Sequence, residues 1–304
     1  MKNYLRKHCP KIIHTAYAET KFWLLCHICP KTVASELFRG IMGYDIDWKN
    51  PRDLNEKINW LKFYGDTSEW TRLADKYLAR EYISEKIGED VLPKLYGVWQ
   101  KVEDIDFTTL PDKFVIKTNH GCGSAVLVED KSNLDILKVK ESMATSIREK
   151  YGYRTMEPHY LNIKPVIMAE EMIENDAEFS TSIADYKVFC INGEPACILI
   201  CTDRANGHTN LSFYDTEWNA LPEVNAGHHA GEFKMIPKPA CLDKLLEYSR
   251  ILSNGFPQIR IDYYISYNKI YVGELTFTSH GGYMDYLSHD FSLKLGKNVP
   301  LIRK

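Results

Sequence analysis

Asp262 and Glu274 are the two residues whose spacing most directly suggests chemistry. The pattern over 258–277 predicts two antiparallel strands, 258–265 and 269–277, joined by Ser266, Tyr267 and Asn268. Side chains alternate across a strand. Arg260 and Asp262 therefore share one face, opposite Ile261, Tyr263 and Ile265. Glu274 and Thr276 share a face of the second strand, opposite Tyr271, Leu275 and Phe277. A turn centred near Tyr267 or Asn268 sets Asp262 opposite Glu274. Facing Cβ atoms lie roughly 4.5–5.5 Å apart, where like charges destabilise a sheet. A divalent cation would remove that repulsion, and Mg²⁺ suits one or two carboxylates completed by phosphate oxygens. Arg260 would add a fixed positive charge for an oxyanion. A solvated hairpin would leave the facing acids unexplained.

A second group precedes this hairpin. Lys117 ends the apolar strand Phe114–Lys117 and runs into Thr118-Asn-His-Gly-Cys-Gly-Ser124. Backbone N–H groups of a glycine-containing loop form an anion nest, and a neighbouring ammonium pairs with phosphate oxygens. The lysine precedes the loop, so this is not the GxxxxGK[ST] phosphate loop. Residues 168–178 follow an apolar strand with several acids. Adenine needs a backbone donor and acceptor edge under apolar cover, and ribose needs a carboxylate.

Asp75-Lys76, Lys117 with its loop, Glu170-Glu171 to Glu178, Lys187, Arg260-x-Asp262 and Glu274-x-Thr276 occur in this order. Together they resemble the ATP-grasp superfamily, and within it the TupA-like proteins of cell-surface polysaccharide and teichuronopeptide biosynthesis. The resemblance covers roughly residues 50–285. It implies an α+β ATP-grasp fold, with ATP and one or two Mg²⁺ ions between two lobes. Lys76 and Lys117 would contact phosphates, and His120, Gly121, Gly123 and Ser124 would belong to the phosphate-covering loop. Glu170, Glu171, Met172 and Ile173 would face adenine, and Glu178 the ribose. Lys187 would reach the terminal phosphates. Asp262, Glu274 and Thr276 would hold metal, and Arg260 would stabilise the reacting oxyanion. His280 in Thr278-Ser-His-Gly-Gly-Tyr283 would receive the acceptor. Thr276 stands where many ATP-grasp ligases have Asn, and a hydroxyl is the weaker metal ligand. The implied reaction joins a carboxylate acceptor to an amine donor through an acyl phosphate. Phosphorylation of a hydroxyl by the same site is the nearest alternative. A glycosyltransferase is another, since Asp45-Ile-Asp47 and Asp104-Ile-Asp106 match Asp-x-Asp, although both fall in predicted loops.

The elements that must position these residues divide the 304 residues into a mainly helical region (1–110), a small lobe (111–175) and a larger sheet-rich lobe (176–304). Asn55 could cap a helix running to Tyr64. Residues 69–87 read as one helix, stopped by Gly88. Asn192-Gly193 marks a hairpin between 185–191 and 194–201. A helix over 242–252 precedes the Arg260/Glu274 hairpin.

Composition is ordinary for a soluble globular chain: 44% hydrophobic, 26% charged, net charge −3. That balance gives no reason to invoke nucleic acid. The run Phe22–Cys29 is far short of the roughly 20 residues that span a bilayer. Eight scattered cysteines suggest a reducing cytoplasm, and Cys26-His-Ile-Cys29 lacks the second pair a zinc site needs. Lys2, Arg6, Lys7, Lys11, Lys21 and Lys31 against Glu19 make residues 1–31 basic. Such a stretch can touch an anionic membrane weakly, or form a helix with one solvated face.

Overall fold

The computed structural model of the chain describes residues 24–204, 209–225 and 233–304. Helix α1 (Pro30–Met42) starts on a proline, whose fixed φ suits the first helical position, and ends at Gly43 with φ 79°. Helix α2 (Leu54–Tyr64) is capped by Asp53, not Asn55. The Asp53 carboxylate accepts from the Asn55 and Glu56 amides, and the Glu56 side chain reaches back, completing a capping box. Asn55 instead lies inside the fold, where its Oδ1 accepts from the Met284 amide at 2.8 Å.

The helix expected over 69–87 is two helices, α3 (Ser68–Ala74) and α4 (Ala79–Ile87). The break is chemical. The Asp75 carboxylate accepts from the Tyr77 amide at 2.8 Å and the Leu78 amide at 3.1 Å, competing with helical bonding. The Lys76 amide leaves the helix altogether and donates to the Asn119 carbonyl at 3.0 Å. That departure carries Lys76 to the glycine loop.

Two separate antiparallel sheets with helices packed on them make the fold α+β. The first runs β1–β4–β2–β3, from β1 (Leu95–Trp99), β2 (Phe114–Thr118), β3 (Val126–Val128) and β4 (Ile167–Glu170). Helix α5 (Ile136–Ser146) buries Val139 and Met143 in one cluster with Phe114, Ile116 and Val128. The second sheet runs β7–β6–β5–β8–β9, from β5 (Asp185–Ile191), β6 (Glu194–Thr202), β7 (Asn210–Tyr214), β8 (Gln258–Ser266) and β9 (Lys269–Thr276). Helices α6 (Leu242–Ser253) and α7 (His289–Lys297) contribute Leu245, Leu252 and Phe291 to its core.

The β8–β9 register sets Asp262 directly opposite Glu274. Tyr267 and Asn268, with φ of 47° and 60°, make the two-residue turn. Simple alternation fails once. A bulge pairs Tyr263 with Val272 and skips Gly273. Val272 and Ile270 therefore join Leu275 in the core, and Tyr271 pairs with Tyr264 instead of sharing the Leu275 face. A Cβ on Gly273 would sit 2.8 Å from a Tyr264 ring carbon, so glycine is what this crossing admits.

Asp53 is fully buried and also accepts from the Tyr44 hydroxyl at 2.9 Å. Asp53→Ala is expected to cost about 1–2 kcal/mol, at the upper end for a lost cap. Urea unfolding of the two proteins measures it, and an unchanged midpoint would contradict the capping role.

Candidate active site

Lys117 and Glu170 lie on adjacent strands of the first sheet, and their side chains pair directly. Arg80 of α4 approaches the same carboxylate at 3.9 Å. Lys117 and Glu170 thus neutralise each other. Lys76 donates to the Gly121 carbonyl at 2.7 Å and pairs with Glu274 at 3.0 Å, so it links the glycine loop to the β8–β9 hairpin. Gly121 and Gly123 take φ of 77° and 80°. At Gly121 a side chain is excluded twice, because a Cβ would also lie 2.6 Å from the Tyr151 ring.

Ser124 accepts from the Thr118 amide at 3.1 Å and hydroxyl at 2.9 Å, closing the loop on itself. His120 is buried, with Nε2 at 3.0 Å from the Glu149 carbonyl, and burial lowers its pKa. These two side chains hold the loop's shape. Glu171 exchanges two bonds with the Lys94 backbone: its amide donates to the carbonyl at 2.8 Å and its carboxylate accepts from the amide at 3.0 Å. Met172 and Ile173 follow it, half-buried. Glu178 stands apart from this group. It is exposed and lines a separate cleft of about 570 Å³ with Tyr186, whose side chain alternates to the face of β5 opposite Lys187.

The facing carboxylates are not the bare pair that the alternation suggested. Arg260 grips Asp262 with two bonds, Nε to Oδ1 at 2.6 Å and Nη2 to Oδ2 at 2.8 Å. Lys187 bridges Asp262 and Asp185, the latter at 2.6 Å, and Arg204 closes on the same Oδ2 of Asp185. Glu274 is held by Lys76 and, at 3.3 Å, by Arg260. Thr276 donates to Glu274 at 3.1 Å and accepts from Arg260 at 3.3 Å. Four cations therefore surround three acids. Burial alone would raise the Glu274 pKa, but Lys76, Arg260 and Lys187 outweigh it and hold the carboxyl well below its usual range. Burial likewise disfavours the Lys187 charge, and Asp185 and Asp262 more than restore it.

Asp262 and Glu274 project side by side from one register pair, with the Thr276 hydroxyl next to them. No group of three or more His, Cys, Asp or Glu able to hold a metal occurs among the described residues. Two carboxylates and a hydroxyl fit Mg²⁺ when phosphate supplies further oxygens. Binding would exchange Arg260 and Lys187 for the ion on the carboxylate oxygens.

Beside Arg260, Glu274 and Thr276 opens a cleft of about 330 Å³, walled by Tyr151, Tyr160, Glu157, Arg154 and His280. His280 is exposed, with φ 48° and its ring edge-on to Tyr286 at 5.7 Å. Glu157 is buried, accepts from the Thr155 and Thr278 hydroxyls, and has its pKa raised by burial. Lys62 lies behind it, donating to Asn59 Oδ1 at 3.0 Å and the Thr155 carbonyl at 3.1 Å. Burial pushes its pKa down to about 7. Sequence reasoning missed Glu157, Lys62, Asp185, Arg204 and Arg80. Only Asp185 carried a local signal, two residues before Lys187 and therefore on the same strand face.

The Asp-x-Asp spellings have structural duties: Asp47 Oδ1 accepts from the Lys49 and Asn50 amides, and Asp106 caps the turn at Thr108. His208, His228 and His229 lie outside the described residues.

Two antiparallel sheets with facing carboxylates between lysines place this fold in the ATP-grasp class. Residues 56–300 match the family described as TupA-like ATPgrasp, and the chain belongs to that family. Solved structures give distant likenesses. D-alanine–D-alanine ligase from Bacillus anthracis, complexed with ATP, is 13% identical over 81% of this chain and 68% of that one, with a TM-score of 0.39. The Helicobacter pylori D-alanine–D-alanine ligase is 14% identical over 80% and 62%, at 0.39. The D-cycloserine synthetase DcsG is 10% identical over 76% and 70%, at 0.42. The match spans about two thirds of the length of these proteins, and at such identities no substrate carries over. No curated protein matches the sequence.

The charge balance makes a prediction for the ligand-free protein. Glu274→Gln removes the carboxylate charge that pairs with Lys76 and, at 3.3 Å, with Arg260. It should lower stability by about 1–3 kcal/mol at neutral pH, not raise it by relieving repulsion. A depressed carboxyl pKa contributes stability above the ordinary value of about 4.3 and loses it as pH falls through the lower folded value. The gap between wild type and variant should therefore narrow in acid below about pH 4. Thermal melts across pH check both; a more stable variant at pH 7 would contradict the network.

Proposed function

We propose that the protein is an ATP- and Mg²⁺-dependent carboxylate–amine ligase of cell-surface polysaccharide or teichuronopeptide biosynthesis. The observation that carries the reading is the Asp262/Glu274 pair, set between Lys76, Lys187 and Arg260, with Glu274 and Arg260 lining the 330 Å³ cleft. Family membership supports nucleotide use, and the cleft supports a second substrate.

In this reading Lys117 leaves Glu170 to meet phosphate, while Lys76 holds the glycine loop over it. Glu170, Glu171, Met172 and Ile173 border the base. Asp262, Glu274 and Thr276 would hold Mg²⁺, which when bound would neutralise charge building on the phosphoryl oxygens. An acceptor carboxylate in the cleft attacks the γ-phosphorus, and ADP leaves. An amine then attacks the acyl carbon of the resulting acyl phosphate, and inorganic phosphate departs. Arg260, released from Asp262, turns its guanidinium to the tetrahedral oxyanion. Lys187 stays at the terminal phosphate. His280 and the two tyrosines position the acceptor, and holding the reactants in line supplies much of the rate.

Two measurements test the reading. With Mg²⁺-ATP, an acceptor carboxylate and hydroxylamine, the acyl phosphate should be trapped as a hydroxamate. ADP release without hydroxamate would mark transfer to a hydroxyl instead. Lys117→Ala should weaken ATP binding by roughly tenfold or more, the size of one lost charge-assisted contact. It should also lower the melting temperature, because Glu170 keeps only the distant Arg80. Calorimetry showing unchanged ATP affinity in the folded variant would remove Lys117 from the phosphate site.

A further inference from the structure

The chain is divided by charge. Residues 1–31 hold six bases and one acid, net +5, while the whole chain carries −3, which leaves −8 for residues 32–304. Such asymmetry points to an anionic partner for the basic end. The described part of that end adds an apolar face. Residues 24–28 are helical, and Leu24, Leu25 and Ile28 are 48%, 36% and 67% exposed, whereas Cys26 is buried. Positions i, i+1 and i+4 fall on one side of a helix, so the three aliphatic side chains form a single patch. In the sequence Lys21, Phe22 and Trp23 come just before it. Aromatic residues beside aliphatic and basic ones are the composition that seats at a bilayer interface.

The helical stretch is also joined to the cleft. His27 Nε2 lies 2.8 Å from the Tyr153 hydroxyl, and Cys26 packs in one cluster with Val33, Ala34 and Met156. Tyr153 and Met156 bracket Arg154, which lines the cleft and is itself exposed.

We propose that this face docks on an anionic lipid bilayer, with Leu24, Leu25 and Ile28 in the headgroup layer and the N-terminal bases on lipid phosphates. The cleft would then open beside the membrane surface, where an acceptor attached to that surface reaches it. The docking stands on charge and exposure alone; only its link to the acceptor rests on the ligase reading. Two basic ends would repel each other, which disfavours a symmetric dimer through this face. The aliphatic patch offers nothing to nucleic acid.

Vesicle flotation of the full chain tests this without ATP turnover, so its outcome is independent of the ligase reading. Vesicles with about one third phosphatidylglycerol should bind at least roughly tenfold more tightly than phosphatidylcholine alone, and about 0.5 M salt should abolish the difference. Leu24→Glu with Ile28→Glu, and separately Lys7→Gln with Lys11→Gln, should each weaken binding by on the order of tenfold while the melting temperature stays unchanged. Absence of wild-type binding, equal binding to both vesicle types, or unchanged binding in both double variants would overturn the proposal. So would a dimer in sedimentation that Leu24→Glu with Ile28→Glu dissolves.

Discussion

Three carboxylates on one face of a sheet, two buried and one half-buried, are an electrostatic liability, and much of the site is arranged around neutralising them. Asp185, Asp262 and Glu274 come from β5, β8 and β9. Their counter-charges come from four places: Lys187 on β5, Arg260 on β8, Arg204 after β6, and Lys76 at the break between α3 and α4. Desolvating any one of these groups alone would cost several kcal/mol, so none is tolerable without the others. In the proposed reading the same contacts prepare the face for an anionic ligand carrying a divalent cation. Asp185 and Glu274 are held below the usual carboxylate range by these cations, whereas burial pushes Asp262 up against the pull of Arg260 and Lys187.

Lys76 couples this network to the glycine loop through the Gly121 carbonyl, so the loop and the hairpin are positioned by one ammonium. Two further buried charged groups brace the Glu157 wall of the cleft. Lys62 and Glu157 join α2, the loop at 155–157 and the loop after β9. In that last loop His280, Gly281 and Gly282 all have positive φ. A Cβ on Gly282 would lie 2.8 Å from the Asn59 amide nitrogen, so the chain passes too close to α2 for any side chain. His280 thereby points outward at the cleft edge while its neighbours are buried.

The Asp262–Glu274 pair was legible because a two-residue turn and period-2 alternation fix a hairpin's register locally. The bulge at Gly273 was not, since alternation carries no sign of a skipped residue, and Tyr271 was assigned to the wrong face. The break at Asp75 lay hidden inside a good helical pattern, because its cause includes a bond from Lys76 to Asn119, distant in sequence. Asp53 could have been read as the cap of α2: Asp53 and Glu56 have capping-box spacing, and Asn55 is merely of a capping type. Arg80, Arg204, Glu157 and Lys62 are brought to the site by tertiary packing and have no local signature. Family membership follows from the ordered set of motifs, whereas the ion pairs that hold those residues in the free protein follow only from the structure.

The central claim is that Glu274 exchanges cationic partners for a nucleotide-bound metal. Melting wild type and Glu274→Gln with and without Mg²⁺-ATP measures that exchange, since a ligand stabilises the folded state in proportion to its affinity for it. The expected result is a large ligand-induced rise in wild type and a sharply smaller one in the variant. Equal rises in the two proteins would mean that Glu274 does not contact the metal, and the assignment of this face as the catalytic centre would be wrong.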